Sequence, residues 1–161
     1  MFREMRRNAQ QIPEEEALEI LNNGTSGVLA VSGDGGYPYA VPLNYAYSER
    51  KIYFHTARSG HKLDALARND KASFCVVQMD RPDPAAFTTH YRSVILFGRV
   101  RILSDEVEKR HALRLLVQKY SPGFLAEGEA EIEGAWERFS ALELRIEHMT
   151  GKEARELGAA R

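Results

Sequence analysis

The stretch YFHTARSGHKLDALARND, residues 53–70, decides how this chain is read. It opens as an apolar strand end, turns at Arg58–Ser59–Gly60, and continues as a helix expected over 59–69, with Leu63, Leu66 and Ala67 on one stripe. Four groups able to carry positive charge, His55, Arg58, His61 and Lys62, crowd the junction. The first N–H groups of a helix lack internal partners and carry partial positive charge. His61 and Lys62 in that first turn therefore oppose the dipole, at a cost of a few tenths to about 1 kcal/mol per cation. An anion docked at the turn removes the conflict, because a phosphate accepts backbone N–H bonds, a bidentate arginine and a lysine together. The alternative is that Arg58 and Lys62 are solvated, or pair with Asp64 or Asp70.

Upstream, Tyr39, Val41, Leu43, Tyr45 and Tyr47 alternate with Ala40, Pro42, Asn44 and Ala46, the period of a strand with one bulky and one small face. Pro42 cannot donate to a ladder, which puts it at an edge or bulge. A flat ring could lie on the small face and bond the main chain there. SERK (48–51) turns this arm into the strand ending at Thr56, and SGVLAVS (26–32) before it reads as a buried strand. Pro13 followed by Glu14, Glu15 and Glu16 starts a helix that Asn22, Asn23 and Gly24 stop.

Downstream, strands are expected over 71–79 and 91–103, with Gly98 a bulge or bend, and over 138–152. Residues 80–90 read as a loop marked by Pro82 and Pro84. Ser104 is the expected cap of a helix running to about Tyr120, with Leu113, Leu116, Val117 and Tyr120 on its apolar face. The acidic segment 121–134 reads as irregular, with room for a helical turn. About six strands without regular intervening helices argue for an antiparallel sheet or barrel.

Composition narrows the function classes. The chain has 161 residues, 43% hydrophobic and 28% charged, which suits one soluble domain, with an N-terminal arm or added strand over about 1–12 and a tail over 153–161. A net charge of −1 argues against a general nucleic-acid binder. Cys75 is the only cysteine, so no internal disulfide and no CxxC metal pair exist, as suits a reducing cytoplasm. Mid-strand, Cys75 reads as a small core residue. The opening MFREMRRNAQQ lacks the apolar stretch of a signal peptide, and no apolar run approaches the roughly 20 residues that cross a bilayer. His55 and His61 are six positions apart with no cysteine or acid pair beside them, which favours a ligand or phosphate role over metal ligation. His90 could border a substrate pocket, and Trp136 could pack the core, join a dimer or cover a ligand.

Three stretches, GGYPYAVPLNYAY (35–47), IYFHTARSGHKLDAL (52–66) and YRSVILFGRVRIL (91–103), taken in order and spacing, resemble the flavin-binding split-barrel proteins related to pyridoxamine 5′-phosphate oxidase. Within that group they resemble most the Nim-type 5-nitroimidazole resistance branch. The resemblance covers about residues 1–152 and implies a mainly β fold, a six-stranded antiparallel split β-barrel with flanking helices, forming a homodimer with FMN at the subunit interface. On this sequence it puts the phosphate at Arg58, Ser59, His61 and Lys62. It puts the ring along Val41, Pro42, Leu43 and Asn44 and the strand end His55, Thr56 and Ala57. Tyr91, Arg92, Ser93 and Val94 would border the groove, from this chain or its partner, and Lys152 would add a basic C-terminal contact. FAD or a deazaflavin could take the same site.

The chemistry implied is that of a flavin-dependent oxidoreductase taking electrons from a small-molecule donor and passing them to a small flat acceptor, with His55, His61 or His90 the candidate proton donors. The oxidase's own pyridoxal-phosphate-binding residues find no match, so vitamin B6 oxidation is not expected. Two alternatives stand beside it: a non-catalytic flavin-binding or sensing protein, its groove closed by Trp136 or the 80–90 loop, and a haem-binding relative with His61 axial.

Overall fold

The computed structural model describes residues 1–158, so the last three residues of the expected tail lie outside the described residues. The strands are β1 (Gln11–Ile12), β2 (Ser26–Ser32), β3 (Pro38–Asn44), β4 (Ala46–Ser48), β5 (Lys51–Ala57), β6 (Lys71–Asp83), β7 (Thr88–Ile102) and β8 (Phe139–Glu153). The helices are α1 (Glu14–Asn23), α2 (His61–Arg68), α3 (Glu106–Tyr120), α4 (Leu125–Gly134) and α5 (Arg155–Gly158). Every strand pairing is antiparallel, in the order β3-β2-β6-β7-β8-β5-β4, with β1 added on β8. The two ends of that order, β3 and β4, are separated in the chain by Tyr45 alone. The sheet therefore curls until its ends meet, and the result is an antiparallel split barrel with flanking helices. The six principal strands match the sequence reading, and β1 and β4 are short additions of two and three residues.

Tyr45 is the residue around which the ends meet. It is fully buried, its ring meets Phe74 edge-on at 5.0 Å, and its hydroxyl donates to the Leu21 carbonyl of α1 at 2.7 Å. The barrel core is built from alternate residues such as Leu29, Phe54, Phe74, Val76, Leu96 and Leu142. In β5 and β8 the alternation fails because both faces are covered: Ile52 and Phe54 look into the barrel, while Tyr53 and Ala141 pack with Leu103 and Ala112 beneath α3. Gly98 marks the register shift expected of it, since a Cβ there would lie 2.1 Å from the Arg145 carbonyl oxygen.

Four local expectations change. Asp105, one residue beyond Ser104, caps α3, its carboxylate accepting from the backbone N–H groups of Val107 and Glu108 at 3.0 Å each. The expected 80–90 loop is mostly hairpin, paired out to Asp83 opposite Thr88. Pro82 is tolerated there because β2 accompanies β6 only as far as Cys75, so the ladder beyond has a free side. The acidic segment contains a full helix, α4, held by tertiary packing: Ile132 is buried, and Arg114 of α3 takes Glu129 at 2.6 Å. Cys75 points away from the core, with Phe74 and Val76 on either side of it buried. Partial burial on the outer face pushes its thiol up, away from the thiolate form.

Candidate functional site

The β5–α2 turn combines an open backbone with a cluster of cations. Gly60 has φ 135°, a conformation only glycine adopts without strain, and a Cβ on it would meet nothing within 4 Å. No side chain caps α2; its first bonds run from the N–H groups of Leu63 and Asp64 to the Gly60 carbonyl at 2.9 and 3.1 Å. Lys62 reaches back across the turn and donates to the Thr56 hydroxyl at 2.5 Å, which anchors its ammonium at the strand end. Arg58 meets the Glu137 carboxylate at 2.6 Å and its carbonyl at 3.1 Å. The His61 ring lies over Tyr39 with centroids 4.1 Å apart, and its Nε2 is 3.5 Å from the Asp34 carboxylate. Asp34 also takes Arg68. Asp70 is committed to Arg99 at 2.7 Å, and Asp64 forms no ion pair with these cations among the described residues. Ala57 and Ser59 are exposed along the turn.

Beside the turn lies β3, which pairs only with β2 and keeps its other edge unpaired among the described residues. Val41 and Leu43 pack against the core, whereas Ala40, Pro42 and Asn44 face outward, so the small face and the edge proline stand where the alternation put them. The outward row continues across the sheet as Pro42–Val28–Cys75–Ile95 and, one step along, Ala40–Ala30–Ser73–Phe97. Val28, Val77, Ile95 and Phe97 are all exposed, leaving an apolar outer face.

The far side of β5 opens on a pocket of about 360 Å³, where His55 and Asn44 meet Leu116, Val117, Ile132 and Phe139. Burial first, and the nearby Lys62 ammonium second, hold the His55 imidazole below its ordinary 6.5. It is therefore a neutral donor–acceptor at neutral pH. Asn44 is oriented by donating to the Thr25 carbonyl at 2.8 Å, and Tyr120 by accepting from the Tyr45 N–H at 2.9 Å. The sequence reading missed this pocket because it left 121–134 irregular. The signal was present: Leu125 and Ile132 are seven apart, one face of a two-turn helix.

The remaining expected residues stand elsewhere. Ala57 pairs with Phe139 and Ser93 with Lys152, thirteen residues further along β8, which is about 43 Å of strand contour. There Lys152 Nζ sits 5.1 Å from the Tyr91 ring, and Arg92 binds Glu153 at 3.2 Å and also Glu16. Val94 is wholly buried in the core. One chain thus separates Tyr91–Val94 and Lys152 from the basic turn. His90 also lies apart, in the β6–β7 hairpin 3.5 Å from Asp83. Trp136 is held under Lys109 at 4.1 Å and Arg110 at 4.8 Å. Among the described residues no cluster of His, Cys, Asp and Glu is placed to hold a metal ion, and no helix is long and apolar enough to cross a membrane.

A family model described as pyridoxamine 5′-phosphate oxidase matches residues 13–153. The chain belongs to that family. No curated protein matches it. Among solved structures it is similar to an FAD-binding protein from Mesorhizobium loti, at 26% identity over 90% of this chain and 97% of that one, with a TM-score of 0.65. A candidate 5-nitroimidazole antibiotic resistance protein from Bacteroides thetaiotaomicron shares the fold at 22% identity, covering 89% and 86% of the two chains with a TM-score of 0.71. So does an FAD- and haem-binding protein from Mycobacterium smegmatis, at 24% identity over 91% and 74%, with a TM-score of 0.77.

Proposed function

We propose that this member of the family is a cytoplasmic flavin-dependent oxidoreductase that grips the phosphate of FMN at the β5–α2 turn. The observation that carries this reading is the convergence of Arg58, Lys62 and the uncapped start of α2 around an open Gly60. The residues fit the group. A phosphate there would accept from the free N–H groups and from both cations. Glu137 and Asp34, which now face Arg58 and His61, are solvent-exposed at 81% and 69% and give way at little cost. The unpaired edge of β3 offers main-chain groups to the polar rim of a flat ring, with Pro42 and Asn44 beside it.

When bound, the flavin supplies the electron-transfer chemistry. The chain's own residues bind, orient and exclude water. The pocket beyond His55 suits a small, flat, weakly polar acceptor of the nitroaromatic kind, with a reduced nicotinamide as the natural donor to test. His55, neutral and at the pocket wall, is the favoured proton relay over His61, which is engaged with Asp34, and over His90, which is remote.

A second copy completes the site in this proposal. It would cover the apolar face of Val28, Ile95 and Phe97 and bring its Tyr91, Arg92, Ser93 and Lys152 to the first chain's turn, Val94 being committed to its own core. The family relationship and the exposed apolar sheet face both support a homodimer.

One observation favours a second reading. A neutral histidine in an apolar pocket also suits an axial haem ligand, and here that residue is His55 rather than the His61 expected from sequence. An absorbance scan of the purified protein, with the extracted cofactor identified by mass, separates FMN, FAD, deazaflavin and haem. Anaerobic mixing with reduced nicotinamide and a nitroaromatic is then expected to bleach the flavin and restore it. Flavin that never cycles would make this a binding or sensing protein, and a Soret band would favour haem.

A further inference from the structure

We infer a second anion site, built for a phosphorylated small molecule, at the end of the barrel opposite the β5–α2 turn. There a cavity of about 550 Å³ is walled by Arg6 and Arg7 of the N-terminal segment, Thr88 and Thr89 of the β6–β7 hairpin, and Arg155 and Glu156 of α5. Its volume is that of a small-ligand site.

The walls are framed. Gln10 donates its backbone N–H to the Arg7 carbonyl at 3.0 Å, and Gln11 and Ile12 pair with Lys152 and Gly151 of β8. The Tyr91 hydroxyl donates to Gln10 Oε1 at 3.3 Å, and the Ala154 N–H donates to the Tyr91 carbonyl at 2.9 Å. Three segments distant in sequence are thereby tied into one rim, and each contributes a donor to the same space.

The charge pattern supplies the reason. Many of the arginines answer carboxylates: Arg58 takes Glu137, Arg92 takes Glu153, Arg99 takes Asp70 and Arg101 takes Glu108. Arg3, Arg81 and Arg145 are single and share no cavity with one another; only at this end of the barrel do several guanidinium groups without an acid partner line one space among the described residues. Among the described residues, Arg6, Arg7 and Arg155 form no ion pair, although Glu156 shares their cavity. Three guanidinium groups against one carboxylate leave the cavity with two positive charges in excess. That excess matches a phosphate, which carries about −1.5 to −2 at neutral pH. Forked arginine donors and two threonine hydroxyls suit its oxygens better than they suit a single carboxylate.

None of the arginines and threonines of this cavity belongs to the basic turn, but Tyr91, which the dimer reading brings towards a partner's turn, lines it too; a Lys62→Gln variant keeps the two sites distinguishable. The test of the assignment is calorimetric titration of inorganic pyrophosphate into the full-length protein at low salt, with citrate as a carboxylate probe of similar charge. With FMN in excess, so that the basic turn is not the site titrated, saturable pyrophosphate binding is expected and is weaker by about a hundredfold in the Arg7→Ser/Arg155→Ser double variant. A second double variant, Arg6→Ser/Arg155→Ser, guards against misfolding of the first and should behave alike. Absence of saturable binding, tighter binding of citrate, or loss of pyrophosphate binding in Lys62→Gln with retention in both double variants would overturn the assignment.

Discussion

Arg101 and Arg58 each meet a glutamate in or next to β8, and the two pairs differ in what surrounds them. Glu143 is only 5% exposed and takes Arg101 at 2.9 Å and Lys51 at 3.2 Å. Burial alone would raise its carboxyl; the Arg101 and Lys51 hydrogen bonds outweigh burial and hold it below the usual range. Arg58 and Glu137 are 61% and 81% exposed, so water screens them and competes for both. Burial, more than residue type, separates a pair that holds the fold from a pair free to exchange its acid for a ligand. The first has nowhere to send its charge, whereas the second is an arginine already positioned beside an uncapped helix start.

That contrast is open to experiment. The largest expected effect is at the buried pair. Glu143→Ala removes the buried carboxylate that Lys51 and Arg101 share, the two cations being partly exposed and Arg101 keeping Glu108, and should cost about 2 kcal/mol, roughly 4–8 °C in the thermal midpoint for a domain of this size. Flavin content per folded molecule should not change. A flavin loss in proportion to the stability loss would erase the distinction between the two regions.

A smaller, pH-dependent effect belongs to His55. In the unfolded chain its imidazole titrates near 6.5, and in the fold it takes a proton only at lower pH. Below about 6.5 the unfolded state therefore binds more protons, so this residue lowers stability progressively as pH falls and has no such effect above neutrality. His55→Gln should flatten that part of a midpoint-against-pH curve. An unchanged acid slope would mean that the imidazole is not desolvated as described.

The smallest effect is expected at the exposed pair. Glu137→Ala should move the midpoint by less than about 4 °C while leaving flavin retention equal or slightly stronger, since Arg58 loses its competitor. Weaker retention would make Glu137 a supporting residue of the site and break the contrast from the other side.

These differences also show how far the sequence could be read. The basic turn was legible because its signal is local: a glycine, two cations and a helix start within five residues. The order of strands followed from alternation and turn residues for the same reason. The pocket beyond His55 was not legible, because α4 is held by Ile132 and by ion pairs to α3 rather than by its own composition. Nor could the strand pattern reveal that Tyr91–Val94 and Lys152 stand far along β8 from the turn. That separation arises from the register of β7 and β5 on a shared neighbour, which only the folded sheet sets. Cys75 was misjudged because its face of β6 is apolar without being the core face.

The most direct test is the Arg58→Ala/Lys62→Met double variant, followed by flavin titration and thermal unfolding of the cofactor-free protein. The cofactor-free midpoint is expected to stay within about 4 °C of the parent's, with flavin affinity about a hundredfold lower. Undiminished affinity in a folded double variant would show that the cations at the end of β5 hold no phosphate.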